Sequence, residues 1–285
     1  MSLLVIIEMF RVDLSTGEGV SAMIGYSVRW AVPFIYIVVA ASALPKLFPG
    51  PFSVWVLRNR KYFGLCFAVA MAWQGLFIFV VSTFMRDYYF EAIYYFRDEL
   101  EGTIGYIFLG ALTVTSFQIG RKYVTPDQWK TLHRAGMYFL WAYPASVYWW
   151  NLYYYPALEP YASPRIIDYI FYWTGFTAMA LRIAAWGKGR LQSSQTEAIS
   201  GGLSIAFKTA GGAFIALGPV AAATGQLWYP AVSSVLTGPS WSAETELWLP
   251  FWPLEPFLPL ISFGIGVMLV TTVKLGGKAQ ARASA

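Results

Sequence analysis

Few residues of this 285-residue sequence carry side chains that could take part in chemistry. Its one histidine, His133, is followed by Arg134, and its one cysteine is Cys66. An imidazole can ligate a metal, but a single one at the edge of an apolar block usually hydrogen-bonds a neighbouring helix or loop. One histidine and one cysteine exclude zinc sites, iron–sulfur clusters, bis-histidine haem and an intrachain disulfide.

The composition indicates where these residues act. Hydrophobic residues make up 57% of the chain, charged residues make up 12%, and the mean hydropathy is +0.51, whereas a soluble domain carries about 25% charged residues. The apolar residues fall in blocks of about 20, the length of a membrane-spanning helix. The sequence therefore predicts an all-α integral membrane protein and excludes soluble enzymes and nucleic-acid binders.

Seven apolar blocks are long enough to cross a bilayer, so about seven transmembrane helices are predicted. Their approximate bounds are 26–47, 62–84, 103–119, 132–153, 166–185, 203–227 and 257–273. We expect an interfacial segment over 1–25 and a transmembrane core over 26–190. A C-terminal helix pair follows over 191–285, with an outer loop rich in aromatic residues and proline and a short cytoplasmic tail.

The charges of the connecting loops predict the orientation. Loops with an excess of lysine and arginine alternate with loops that lack it, from Arg58, Arg60 and Lys61 in the first connection to Lys274 and Lys278 in the tail. Basic loops stay on the cytoplasmic side. We therefore expect the N-terminus outside and the C-terminus in the cytoplasm, in the inner membrane of a bacterium.

Aromatic residues concentrate on the predicted outer side. The three groups are residues 88–90 with 94–96, residues 148–150 with 153–155, and Trp228, Trp241, Trp248 and Trp252. Such residues form the aromatic belt of a membrane protein, and they also anchor protein interfaces. The sequence is compatible with both interpretations, so partners are expected to be the lipid bilayer and other membrane subunits.

Three short motifs occur in order along the core. Residues 58–61 read Arg-Asn-Arg-Lys and are followed by Gly64-Leu65, residues 115–116 are Thr-Ser before a basic loop, and residues 129–134 read Trp-Lys-Thr-Leu-His-Arg. This set resembles the ferric reductase-like transmembrane domain family. The resemblance covers roughly residues 26–185 and leaves the last two predicted helices outside it.

The resemblance implies a helical bundle that holds b-type haem between two helices, each of which contributes histidines. The four ligand positions of the family fall here on Gln74, on Asp87 or Tyr88, on His133, and on Ser146 or Val147. One of the four is a histidine, and a side-chain amide such as that of Gln74 is a poor iron ligand. If haem were bound, Arg134 would pair with its propionate or with a lipid phosphate; otherwise it is an interfacial cation.

Two functions follow from these residues. In the first, the chain is a non-catalytic membrane subunit derived from a haem carrier, holds no cofactor, and acts in assembly or docking within a membrane complex. In the second, a single b-type haem on His133 transfers electrons between a quinone and a partner protein. The missing ligands favour the first function, in which the chain is not an enzyme, while the second keeps a redox role open. No acidic residue matches the depth of Lys208, which argues against a transporter.

The volume that haem fills in the family must be occupied in some other way. Helical periodicity places the two facing surfaces on Phe67, Ala70, Met71, Gln74, Ile78 and Val81, and on His133, Met137, Leu140, Pro144 and Tyr148. Because an empty cavity costs about 24 cal/mol for each Å³, we expect bulky side chains to fill the space. The alternative is an apolar guest such as a lipid or a quinone.

Overall fold

The computed structural model describes residues 1–157, 163–192, 201–236 and 254–272, and every regular element within these ranges is helical. The α-helices are α1 (Ser2–Met9), α2 (Gly17–Ala40), α3 (Leu44–Leu47), α4 (Pro51–Arg58), α5 (Arg60–Phe84), α6 (Arg86–Tyr88), α7 (Phe96–Thr115), α8 (Gln118–Arg121), α9 (Pro126–Tyr153), α10 (Ile166–Gln192), α11 (Gly201–Ala223), α12 (Gly225–Leu236) and α13 (Leu258–Thr272). A π-helix spans Tyr89–Ile93, and short 3-10 helices span Tyr155–Ala157 and Glu255–Phe257.

Four helical segments are long and apolar enough to cross a membrane: α2, α5, Ile205–Ala223 of α11, and Glu255–Thr272, which contains α13. They support the prediction of a helical chain suited to lipid. The other three predicted spans fall on α7, α9 and α10, which have 20, 28 and 27 residues but are not among the four apolar segments. The seven-helix bundle and its orientation stay predictions.

The chain divides into two compact units. Among the described residues, unit 1 comprises 1–39 and 58–144, and unit 2 comprises 40–57, 145–157, 163–192, 201–236 and 254–272. The division falls within α2, between Leu57 and Arg58 in the last turn of α4, and within α9. These packing units do not test the predicted segments 1–25, 26–190 and 191–285, which stay a prediction.

Unit 1 begins with a short helix that packs onto its core. Val5 of α1 is buried together with Val20 and Met23 of α2 and Phe77 and Val81 of α5. Helix α2 begins after Thr16, whose hydroxyl oxygen accepts the backbone N–H of Gly19 at 3.2 Å. Thr is a preferred N-cap because it satisfies one of the free N–H groups of the first turn. This cap extends α2 well before the predicted span at 26–47.

Unit 2 contains a close antiparallel crossing of α11 and α13. A methyl group added at Gly266 would lie 2.6 Å from the carbonyl oxygen of Gly211, and one added at Gly218 would lie 2.9 Å from that of Pro259. Small residues allow helix backbones to approach this closely in membrane proteins. Glycine is required at these positions because any side chain would force the two helices apart.

Candidate functional site

The first turn of α9 is held by a cap that the sequence encodes locally. The backbone N–H of Thr125 donates to Oε1 of Gln128 at 2.9 Å, and the N–H of Gln128 donates to Oγ1 of Thr125 at 3.2 Å. This reciprocal pair is a capping box, and Pro126 takes the first helical position, where its missing N–H costs nothing. The cap fixes the start of α9 and with it the position of His133, two turns further along.

His133 is tied to the end of α7. Its Nε2 lies 3.0 Å from Oγ1 of Thr115, and that hydroxyl donates its single hydrogen to the carbonyl oxygen of Ala111 at 2.6 Å. The Nε2 atom must therefore carry the hydrogen and donate it to Thr115. The imidazole also lies against the Trp129 ring, with 4.2 Å between ring centroids, and the Trp129 Nε1–H donates to the backbone carbonyl of Thr115 at 3.1 Å.

The other principal ligand position, Gln74 in α5, is tied to α7 in the same way. Its Oε1 lies 3.1 Å from the hydroxyl of Tyr106, which is also 3.0 Å from the backbone carbonyl of Met71. The hydroxyl has one hydrogen to share between these two acceptors. The side chains of Gln74 and His133 thus both form hydrogen bonds with residues of α7.

The remaining predicted positions lie apart from His133 and Gln74. Arg134 is exposed and does not line a cavity with His133 among the described residues, and Asp87 is exposed as well. Tyr88 packs against the core of unit 1, and Ser146 is buried in unit 2. The structure brings none of these residues together with His133.

A cavity of about 260 Å³ lies between the start of α5, the end of α7 and the start of α9; we call it the basic cavity. Three cations, Arg60, Lys61 and Arg121, line it, and its described lining contains no carboxylate. His133, Trp129 and Ser116 also face it. Its deeper wall is apolar and consists of Ile35, Val38, Leu65, Phe67, Leu109, Leu112, Met137 and Leu140.

A second cavity of about 320 Å³ lies at the opposite ends of the same three helices; we call it the acidic cavity. Asp98, Glu99 and Glu101 line it together with Gln74 and Tyr106. Nearby, the hydroxyl of Tyr89 donates to Oε2 of Glu99 at 2.6 Å. Burial, assisted by this hydrogen bond, raises the pKa of the Tyr89 hydroxyl above its usual value.

Three side chains separate the two cavities, since Phe67, Leu109 and Leu140 line both. Residues of the faces predicted on α5 and α9 line the acidic cavity together: Phe67, Met71, Gln74 and Ile78 from α5, and Leu140 and Pro144 from α9. Leu109 and Tyr106 of α7 line the same cavity. Gln74 lines the acidic cavity and His133 the basic cavity, and each is hydrogen-bonded to α7, so the residues present do not fit a haem held between these two positions.

Three rings of the second aromatic group, residues 148–150 with 153–155, pack inside the protein. Tyr148, Trp149 and Tyr153 are buried inside unit 2, where Trp149 is fully enclosed. The Trp149 ring packs edge-on against Tyr229 with 5.1 Å between centroids, and the Tyr153 hydroxyl donates to the Ala222 carbonyl at 2.6 Å. These three rings pack in the core of unit 2, whereas Trp150, Tyr154 and Tyr155 of the same group are half-buried. The predicted outer position of the group stays a prediction. Trp241, Trp248 and Trp252 lie outside the described residues.

The structure buries one acidic residue, Glu255, that the sequence analysis did not single out. Glu255, directly before α13, is fully buried in unit 2, near Ser233 and Tyr229. Because α11 and α13 are antiparallel, Glu255 lies at the end of the pair far from Lys208, so the two residues do not form an ion pair. Its signal in the sequence was a lone carboxylate between two prolines, Pro253 and Pro256.

Comparison of the chain with protein-family models, with curated proteins and with solved structures finds no match.

Proposed function

We propose that this chain is a non-catalytic integral membrane subunit, derived from a haem-bearing ferric reductase-like protein, that acts in assembly or docking within a membrane complex. The observation that carries this proposal is the pair of hydrogen bonds that join α7 to the side chains of Gln74 and His133. Nε2 of His133 donates its hydrogen to Thr115 and so has no lone pair for iron, and the chain has no second histidine to complete a bis-histidine haem site. Both former ligand positions therefore act as links between helices.

The docking part of the proposal rests on a patch of exposed aromatic rings in unit 1. Phe84, Phe90, Tyr95 and Phe96 are 73%, 53%, 48% and 42% exposed, and they lie between the end of α5 and the start of α7. Aromatic residues are enriched at protein interfaces because they bury a large area at a low entropic cost. The patch differs from Tyr148, Trp149 and Tyr153 of α9, whose rings are buried within unit 2.

Absorption spectroscopy of the purified chain tests the loss of haem. The protein is produced in cells supplied with a haem precursor, and its spectrum is recorded before and after dithionite. We expect no Soret band and no reduced α band, in the wild type and in the His133→Ala variant alike. About one haem per chain that disappears in His133→Ala would overturn the proposal and support electron transfer through a single haem.

Blue native electrophoresis of membranes solubilised in mild detergent tests docking. We expect the wild-type chain to migrate in a complex larger than itself and a Phe90→Ala/Phe96→Ala variant to shift to lower mass. The matched control is Tyr62→Ala/Tyr123→Ala, which removes two rings that are 64% and 77% exposed elsewhere in unit 1. Equal shifts in both variants, or no shift in either, would contradict a specific docking surface.

A further inference from the structure

Lys61 and Arg121 bring two positive charges to the opening of the basic cavity, and its described lining contains no carboxylate. Arg60 and Lys61 begin α5 and Arg121 ends α8, so two separate elements bring the three cations to one opening. Like charges around a partly apolar space repel one another, and the repulsion is stronger where the effective dielectric constant is low. An anion in the cavity would remove this cost.

Each of the three cationic side chains that line the basic cavity contacts an aromatic ring or a backbone carbonyl, and these contacts hold the side chain in place. The Arg121 guanidinium lies 4.2 Å from the Trp129 ring centroid, and Nζ of Lys61 lies 4.6 Å from that of Phe117. A guanidinium stacked on a ring keeps its N–H edges available for oxygen acceptors. Nε of Arg60 donates to the Val38 carbonyl at 3.1 Å. The cations are thus positioned before a ligand arrives, which lowers the entropic cost of binding.

The remainder of the cavity is apolar, which distinguishes it from a site for a free inorganic ion. Below the cations the wall consists of leucine, isoleucine, methionine and phenylalanine side chains, and Phe67, Leu109 and Leu140 close its inner end. The volume of about 260 Å³ is smaller than the roughly 300 to 1,000 Å³ of sites that enclose a whole drug-sized molecule. It suits a headgroup with the first carbons of a chain.

We propose that the basic cavity binds the phosphate headgroup of an anionic phospholipid, with Lys61 and Arg121 as the main phosphate partners. The predicted orientation places this end of the helices on the cytoplasmic side, where basic pockets between helices meet anionic lipids. The phosphate would lie near Trp129 and His133, and the glycerol and upper acyl carbons would contact Leu112 and Met137. The site is independent of the docking role proposed above.

Native mass spectrometry of the full chain in detergent tests this site, with phosphatidylglycerol and phosphatidylcholine as alternative probes. We expect one phosphatidylglycerol to be retained with at least tenfold preference over phosphatidylcholine. The Lys61→Gln/Arg121→Gln variant should lose this preference. The control Lys122→Gln/Lys130→Gln removes the same charge from exposed residues that do not line the cavity, and it should retain the lipid.

A second variant leaves the charges unchanged. Gly64 lines the basic cavity and has open space where its side chain would begin, so Gly64→Leu should fill the cavity and displace the lipid without disturbing α5. The proposal is overturned if Gly64→Leu and Lys61→Gln/Arg121→Gln both retain phosphatidylglycerol, or if both charge variants lose it equally. Displacement by inorganic phosphate at the same concentration would instead show a site for the free ion.

Discussion

The basic and acidic cavities share three helices and three separating side chains, yet their charges are opposite. In α7 the charges follow the helix dipole: Asp98 and Glu99 lie in the first turn, where negative charge is stabilised, and the cations lie near its other end. In α5 they do not, because Arg60 and Lys61 occupy the first turn, which contains no acidic residue. Helix electrostatics thus explains the acidic cavity but not the basic one, whose charge requires another cause.

We expect the largest loss of stability from removing a side chain that separates the two cavities. Phe67 is 5% exposed and contributes to both walls, so Phe67→Ala should join the two spaces and lower the free energy of unfolding by about 3–5 kcal/mol. Denaturant unfolding in detergent measures this loss. Phe79→Ala, at a residue 59% exposed on the same helix, is the control, and equal losses in the two variants would show that Phe67 is not a packed wall.

A smaller effect is expected from breaking the hydrogen bond at the basic end. Thr115→Val leaves the Nε2–H of His133 without its acceptor in a site where Thr115 is buried, at a cost of about 1–3 kcal/mol. Thr115→Ser keeps the hydroxyl and should remain near the wild-type stability. Tyr106→Phe makes the equivalent change at Gln74, and it should cost about 1 kcal/mol because Gln74 is only partly buried.

The outcome of Thr115→Val also bears on haem. A Soret band in Thr115→Val that the wild type lacks would show that the hydrogen bond to Thr115 prevents His133 from binding haem iron. That result would contradict the proposal that the site has lost the ability to bind haem.

The smallest effect concerns the acidic cavity. Because the pKa of Tyr89 is raised in the folded state, its neutral hydroxyl contributes stability below the ordinary tyrosine pKa of 10.0, and this contribution is lost as the pH rises further. Tyr89→Phe should cost about 1 kcal/mol at neutral pH and reduce the loss of stability in alkali. Unfolding midpoints across this range measure the effect, with Tyr94→Phe as the control; parallel curves would contradict the assignment.

Hydropathy predicted the helices best where apolar residues form one uninterrupted block. The span predicted at 62–84 is α5 over 60–84, and that predicted from 166 is α10, which begins at 166. Three helices begin well before their predicted spans, because their first turns are polar for local reasons. Helix α2 is capped by Thr16, α7 places Asp98 and Glu99 at its positive end, and α9 begins with the capping box of Thr125 and Gln128. An average over a hydropathy window assigns such turns to loops.

The site was predicted only in part because sequence does not give the register between helices. His133, Gln74 and the Arg60-Lys61 pair were recognised from motifs, but Tyr106 was not, and Thr115 was seen only as a helix end. The burial of Trp149 was missed for a related reason. Lipid and protein interiors are equally apolar, so a hydrophobic surface on α9 does not reveal whether it faces lipid or other helices of unit 2.

The hydrogen bond between His133 and Thr115 has a spectroscopic consequence. Since Nε2 holds the hydrogen that it donates to Thr115, a neutral ring keeps its lone pair on Nδ1. We expect its two ring nitrogens to give two distinct resonances, and loss of that distinction would report a protonated ring. As the chain has one histidine, isotope-labelled histidine places a label at one position only. That position faces the basic cavity, so the protein contains its own magnetic-resonance reporter of anything that enters there.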